Sequence, residues 1–202
     1  LNGDGVIDYG NNTLSDHGDK TVIGNSLPRF SYSLNLSGDW NNFFVSAFFQ
    51  GVGKQDWYPS SECIFWGQYN RPYNNLPEWH LGNYWTEDNT DAYLPRYAGY
   101  NSSLKSTTQT RYLQNVAYIR LKNLQFGYTL PQEIVSKAKM QNARIYISAE
   151  NLWCWSPLYK HTRDLDITNI YGSDPDLTNG GSGDGQSYPQ MKSISLGVSV
   201  TF

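Results

Sequence analysis

The chain has little of what usually announces a function. Only two of its 202 residues are cysteines, Cys63 and Cys154. Two cannot build the disulfide scaffold of a small secreted domain, and they show no CxxC-type metal spacing. Whether they bridge each other is open, because a bridge needs a Cα separation that spacing alone does not fix. No apolar run approaches the ~18 residues of a membrane-spanning helix, and mean hydropathy is −0.59. Charge is scarce and nearly balanced, with 15 basic against 18 acidic residues and a net charge of −3. That leaves no basic stripe for tracking phosphates and argues against nucleic acid. Catalytic spacing is missing too. His80 follows Glu78 without an HExxH pattern, Ser60, Ser61 and His161 lie outside any GxSxG elbow, and Glu62 and Asp91 have no fixed relation as an acid pair. No enzyme is expected.

What is present is aromatic and turn-rich: 16 Tyr, 8 Phe, 7 Trp and 18 Gly, a β composition. Five segments alternate apolar and polar with the period of a two-faced strand. They span 28–37, 41–51, 116–130, 143–151 and 193–202. Alternation predicts that Phe30, Leu34, Phe43, Phe49, Leu124, Phe126, Ile145, Leu196 and Val198 share one face. Arg29, Asn35, Asn123, Gln125, Arg144 and Glu150 should lie on the other. Ser37-Gly38-Asp39 reads as the first hairpin turn. A low mean hydropathy is what such strands produce when one face meets lipid and the other water.

The connections sharpen this reading. Strands one and two join tightly, and three and four through the short stretch 131–142. The segments 1–27, 52–115 and 152–192 are long. In an antiparallel meander all the long ones fall at one end and all the short ones at the other. That is the asymmetry of an outer-membrane barrel, since structureless connections beyond ~12–15 residues are uncommon in compact soluble domains. Plain alternation puts Arg120 and Lys122 on the face of Leu124 and Phe126. Lys122 would then stand roughly 20 Å above Leu130, near the outer edge of a ~25 Å apolar band, where cations are tolerated. The competing architecture is a secreted carbohydrate-binding β-sandwich, whose apolar faces would pack on each other.

Several blocks resemble one family. Asn2-Gly3-Asp4-Gly5-Val6-Ile7-Asp8, Val22-Ile23-Gly24-Asn25 and Pro28-Arg29-Phe30 come first. Phe48-Phe49-Gln50-Gly51-Val52-Gly53-Lys54 follows, then Trp85-Thr86 with Asn89, Ala92, Pro95 and Arg96. Tyr118-Ile119-Arg120-Leu121-Lys122-Asn123-Leu124 with Gly127-Tyr128-Thr129-Leu130-Pro131 is the most specific, and Asn151-Leu152, Asp174-Pro175-Asp176 and Phe202 complete the order. Together they resemble the last strands of SusC/RagA-type TonB-dependent transporters. The resemblance implies an all-β antiparallel meander, about five C-terminal strands of a 22-stranded transmembrane β-barrel with long extracellular loops and no plug domain in this chain. It implies TonB contact through a missing N-terminal part, a SusD-like lipoprotein lid and surrounding outer-membrane lipid. The substrates implied are glycans or peptides, imported across the outer membrane of a Gram-negative bacterium. The chain opens inside a motif already under way, so a longer protein is expected.

Three sets of site residues follow. Trp57, Tyr58, Trp66, Trp79, Trp85, Trp153 and Trp155 lie in the long loops and are candidates for substrate or lid contact, against the alternative that they hold the loops together or sit in the interfacial girdle. Asn2, Asp4, the Val6 carbonyl and Asp8 follow the start of a calcium loop, with Gly5 at its turn and Asp19 as a late carboxylate. The plainer alternative is an Asx- and Gly-rich turn. Gly197 and the terminal aromatic Phe202 resemble an outer-membrane assembly signal.

Overall fold

The computed structural model describes residues 5–59, 63–69, 72–97, 107–170 and 188–202. Its main body is one five-stranded antiparallel sheet built from β1 (Ser31–Trp40), β2 (Phe43–Val52), β5 (Tyr118–Thr129), β6 (Asn142–Trp155) and β7 (Ser193–Thr201), in that spatial order. Two short strands, β3 (Asp56–Trp57) and β4 (Gln114–Asn115), pair separately and bring together the ends of the long β2–β5 connection. The sheet is an open meander, as the alternating connections predict.

The first hairpin turns three residues later than expected. Gly38 lies inside β1 opposite Val45, and the turn is Asn41-Asn42 between the paired residues Trp40 and Phe43. Both asparagines adopt left-handed backbone, with φ of 48° and 69°. A two-residue turn whose twist matches its strands needs positive φ at both central positions, and Asn tolerates that better than other side chains. Turning there adds the pairs Gly38–Val45, Asp39–Phe44 and Trp40–Phe43. The second short connection carries a single helical turn, α1 (Gln132–Val135), then a 3-10 turn that ends at left-handed Lys139.

Register separates the two faces cleanly. Cross-strand partners share a face, so Leu34 lies with Phe49, Phe43 with Tyr128, Phe126 with Ile147, and Ile147 with Leu196. Extended along all five strands, this face carries only aliphatic, aromatic, alanine and glycine residues. It is uncovered: Leu36 is 51% exposed, Phe126 50% and Leu196 74%. The opposite face carries Asn35, Ser46, Gln50, Asn123, Gln125, Arg144, Glu150, Ser195 and Ser199. No second sheet packs on the apolar face among the described residues, which removes the β-sandwich alternative.

The register breaks once, in the outer third of the sheet. Phe48 pairs with Asn123 but its neighbour Phe49 pairs with Leu121, leaving Lys122 as an extra residue in β5. The irregularity widens in β6, where Asn123 pairs with Glu150 and Leu121 with Trp153. Asn151 there is left-handed, with φ 51°. A bulge reverses the parity of the strand beyond it. Leu121 and Ile119 therefore join the apolar face, and Arg120, opposite Gln50 and Cys154, turns to the polar face. The expected placement of Arg120 beside Leu124 and Phe126 is thus corrected. The apolar face is relieved of a charge by one inserted residue.

Candidate functional site

At the outer end of the sheet the two long connections fold into a single cap. Its buried core takes Trp57, Cys63, Phe65, Trp66, Tyr69, Leu94, Tyr112 and Val116 from the first connection, and Leu158, Leu165, Ile167 and Ile170 from the second. Phe65 and Trp66 lie in the 3-10 turn Ile64–Tyr69, and their rings meet edge to face with centroids 5.2 Å apart. The Phe65 ring also meets Trp57 and Trp79. Trp66 donates its indole N–H to the Pro59 carbonyl at 3.3 Å, so its one polar atom is satisfied inside. Tyr58 donates its hydroxyl to the Thr107 carbonyl, and burial pushes its phenol up to about 12.

The candidate contact residues differ in how far they are buried. Trp57 and Trp66 are fully buried, and Tyr58 and Trp79 pack against the same core. The rings of Trp57 and Trp66 are enclosed by protein, while those of Tyr58 and Trp79 stay partly exposed. Trp85 is half-buried beside the bridge between Tyr84 and Leu94. Trp153 and Trp155 lie in β6, not in the loop after residue 151 where the sequence reading put them. They sit on the apolar face opposite Leu121 and Ile119, 48% and 52% exposed. Exposed aromatic rings near one end of an apolar face are the arrangement that the interfacial-girdle alternative describes.

The cap is pinned to the wall at the bulge. Arg120 donates to Asp166 at 2.6 Å, and both side chains are only 5% exposed. Asp166 also accepts from the backbone N–H of Thr168 and of Gln190 and from the Thr168 hydroxyl. Burial alone would raise the Asp166 carboxyl. The Gln190 and Thr168 hydrogen bonds and the Arg120 guanidinium outweigh it and hold the carboxyl below its usual range. The Gln190 side-chain oxygen accepts from both Arg120 and Lys122. Residues 166 and 190 are thereby clamped to one strand position. Sequence reasoning missed this clamp, although its signal was present. The apolar phase of β5 runs Ile119, Leu121 and then Leu124, Phe126, and that slip marks the bulge.

Near the inner end, glycines serve as seats for rings. A Cβ at Gly197 would collide with the Tyr146 ring, and one at Gly127 with Phe44. Gly127 pairs with both Phe44 and Tyr146, and Tyr146 with Gly197. Aromatic rings and glycines therefore alternate in one row across the polar face. The Arg144 guanidinium lies over the Phe44 ring, 5.9 Å from its centroid. Gly197, expected as part of an assembly signal, has this packing reason to be glycine. Phe202 follows β7 at the end of the sheet that carries the short connections, 80% exposed.

Asn2 and Asp4 lie outside the described residues. Val6 is exposed at 65%, while Asp8 and Asp19 are drawn together. The Asp8 N–H donates to the Asp19 carboxylate and the Asp19 N–H to the Asp8 carbonyl, both at 3.1 Å. Asp8 also caps Gly10, and Asp16 accepts from Asn11. Their carboxylates are engaged as Asx-type turn acceptors. Among the described residues no three His, Cys, Asp or Glu side chains converge as metal ligands. Neither Cys63 nor Cys154 is in a disulfide.

No protein-family model matches the chain. Curated TonB-dependent receptors from Formosa agariphila do, two of them as follows. TonB-dependent receptor P3 is 29% identical over 205 residues and covers 96% of the chain. TonB-dependent receptor P26 is 27% identical over 202 residues and covers all of it. The chain spans 18% and 19% of their lengths. Among solved structures, the RagAB peptide transporter superposes with a TM-score of 0.64 at 22% identity, covering 90% of this chain and 18% of that one. The RagAB peptide importer in its open-open state gives 0.59 at 23%, covering 93% and 18%. The superpositions speak for the fold, the curated relatives for the sequence. Over nearly its full length the chain is thus similar in sequence to part of these TonB-dependent receptors, and it shares the fold of part of RagAB.

Proposed function

We propose that this chain forms part of the wall and the outer cap of a barrel that imports nutrients across the outer membrane of a Gram-negative bacterium, driven through TonB contacts made elsewhere in the intact protein. One observation carries the reading: a single open sheet has an uncharged, uncovered apolar face, a polar opposite face, and its long connections gathered at one end. In this role the chain contributes no bond chemistry. The polar face lines the passage, the apolar face meets lipid, and the cap shapes the entrance beneath a SusD-like lipoprotein lid.

Peptides are the substrate class we place first, with glycan oligosaccharides second. The solved neighbours are described as peptide importers, and the burial of Trp57 and Trp66 weakens the stacking argument for sugars. A deletion strain complemented with the full-length gene tests this. Growth on defined oligopeptides as sole nitrogen source, and on an oligosaccharide panel as sole carbon source, should depend on the gene for one class. Growth independent of the gene on both, with the protein absent from the outer-membrane fraction, would overturn the proposal. We also propose that the 2–19 segment binds calcium only when Asn2 and Asp4 complete it, since Asp8 and Asp19 alone close a hydrogen-bonded turn.

A further inference from the structure

We propose that the seam joining the two long connections is an acid-labile joint, and that the cap opens along it when His80 and His161 take up protons. The seam is a ring stack. Trp79 sits between His80 of its own connection, edge to face at 4.3 Å, and His161 of the other at 5.6 Å. His161 in turn lies nearly parallel on Tyr93, 17° and 4.6 Å apart. His80 is fully buried. Its Nε2 meets the Phe65 carbonyl at 2.9 Å, and its Nδ1 has no hydrogen-bond partner. That leaves a neutral ring, with Nε2 donating and Nδ1 bare.

A proton on Nδ1 would create a buried cation whose new N–H finds no acceptor. Among the described residues the surroundings offer no counter-charge. The Tyr69 ring and Trp79 pack on His80. Lys160 adjoins His161 and disfavours its protonation, and Arg111 binds the Tyr93 and Ala92 carbonyls. Of the nearby carboxylates, Glu78 is exposed, Asp164 accepts from Thr162, and Asp166 is committed to Arg120. Among the described residues neither imidazole is paired with a carboxylate. Stacking of a charged His161 on Tyr93 recovers part of its cost, so His80 carries most of the effect. Burial lowers the proton affinity of both rings in the closed cap.

The direction follows from linkage. Above the ordinary histidine value of ~6.5 both closed and open caps hold neutral rings, and closure is undisturbed. As pH falls below that value the open cap binds protons that the closed cap refuses, so opening gains. At pH 5 the ceiling is about 30-fold per histidine. An opened seam frees the two connections to move separately at the entrance. This inference holds whatever the transporter carries.

Hydrogen exchange by mass spectrometry on the full-length protein in detergent tests it, with rates corrected for intrinsic pH dependence. Peptides covering 77–97 and 156–165 should lose about 10-fold or more protection between pH 7.5 and pH 5, while β6 and β7 peptides keep theirs. His80→Gln should flatten the profile, and His161→Phe, which keeps a ring in the stack, should flatten it partly. A pH-independent wild type, a loss shared equally by the sheet peptides, or an unchanged drop in both variants would overturn the proposal. If His80→Gln opens the cap even at pH 7.5, the wild-type profile and His161→Phe still decide.

Discussion

Replacing Asp166 with asparagine should release the second long connection from the wall while leaving the sheet intact. The carboxylate accepts four hydrogen bonds and carries the only charge opposite Arg120 among the described residues. Both side chains are 95% shielded, so solvent does not soften the loss. Removing one member of such a pair leaves an uncompensated buried charge, which costs about 3–5 kcal/mol. Gln190 would still accept from Arg120, but the Arg120 Nε already has no partner. We therefore place Asp166→Asn near the lower end, about 3 kcal/mol, or roughly a 150-fold rise in local opening. The paired change Arg120→Met with Asp166→Leu should restore most of the closed state, because apolar replacements of buried pairs are often neutral. The assay is protease nicking within 156–192 of the full-length protein. Nicking that is the same in wild type and Asp166→Asn, or faster in the paired variant than in the single one, would refute the reasoning. The pH dependence has a definite sign. The folded carboxyl sits below its unfolded value, so its contribution is complete above ~4 and fades only as pH falls through the lowered value. The clamp should be steady between about pH 5 and 7.5, where the histidine seam changes.

Three further outcomes are expected. Gly197→Val should cut the yield of heat-modifiable folded barrel on gels, because the new side chain takes the place of the Tyr146 ring; Gly197→Val with Tyr146→Ala should recover part of it. Deleting Phe202 in the full-length protein should lower the folded fraction in outer membranes, and unchanged folding would remove its assembly role. Calorimetric titration of the full-length protein should show calcium-dependent heat that Asp4→Ala abolishes; no heat, with no change in nicking near Leu14, would leave only the turn closed by Asp8 and Asp19.

The strands and their faces were legible because alternation is a local signal. Phe43, Val45, Ala47 and Phe49 declare one face of β2 without reference to any other strand. The exact turn was not, since Ser37-Gly38-Asp39 and Asn41-Asn42 both suit hairpins, and only the cross-strand pairs gained decide between them. The bulge misled twice. Lys122 hid the reversal that turns Arg120 inward, and left-handed Asn151 read as a strand end when β6 runs on to Trp155. The cap was the least legible part. Its core joins Trp57 to residues about a hundred positions later, such as Leu158 and Ile170, through 3-10 turns that have no long periodicity. Burial of Trp66 therefore depends on a contact between two connections that the sequence shows only as separate loops.

Spin labels along β1 and β7 of the full-length protein in lipid vesicles test the two-faced wall most directly. Labels at Leu36 and Leu196 should be accessible to oxygen and shielded from a water-soluble nickel chelate. Labels at Asn35 and Ser195 should show the reverse, so that accessibility alternates residue by residue. Loss of that alternation, or nickel reaching Leu36 and Leu196 as readily as their neighbours, would contradict a lipid-facing barrel wall.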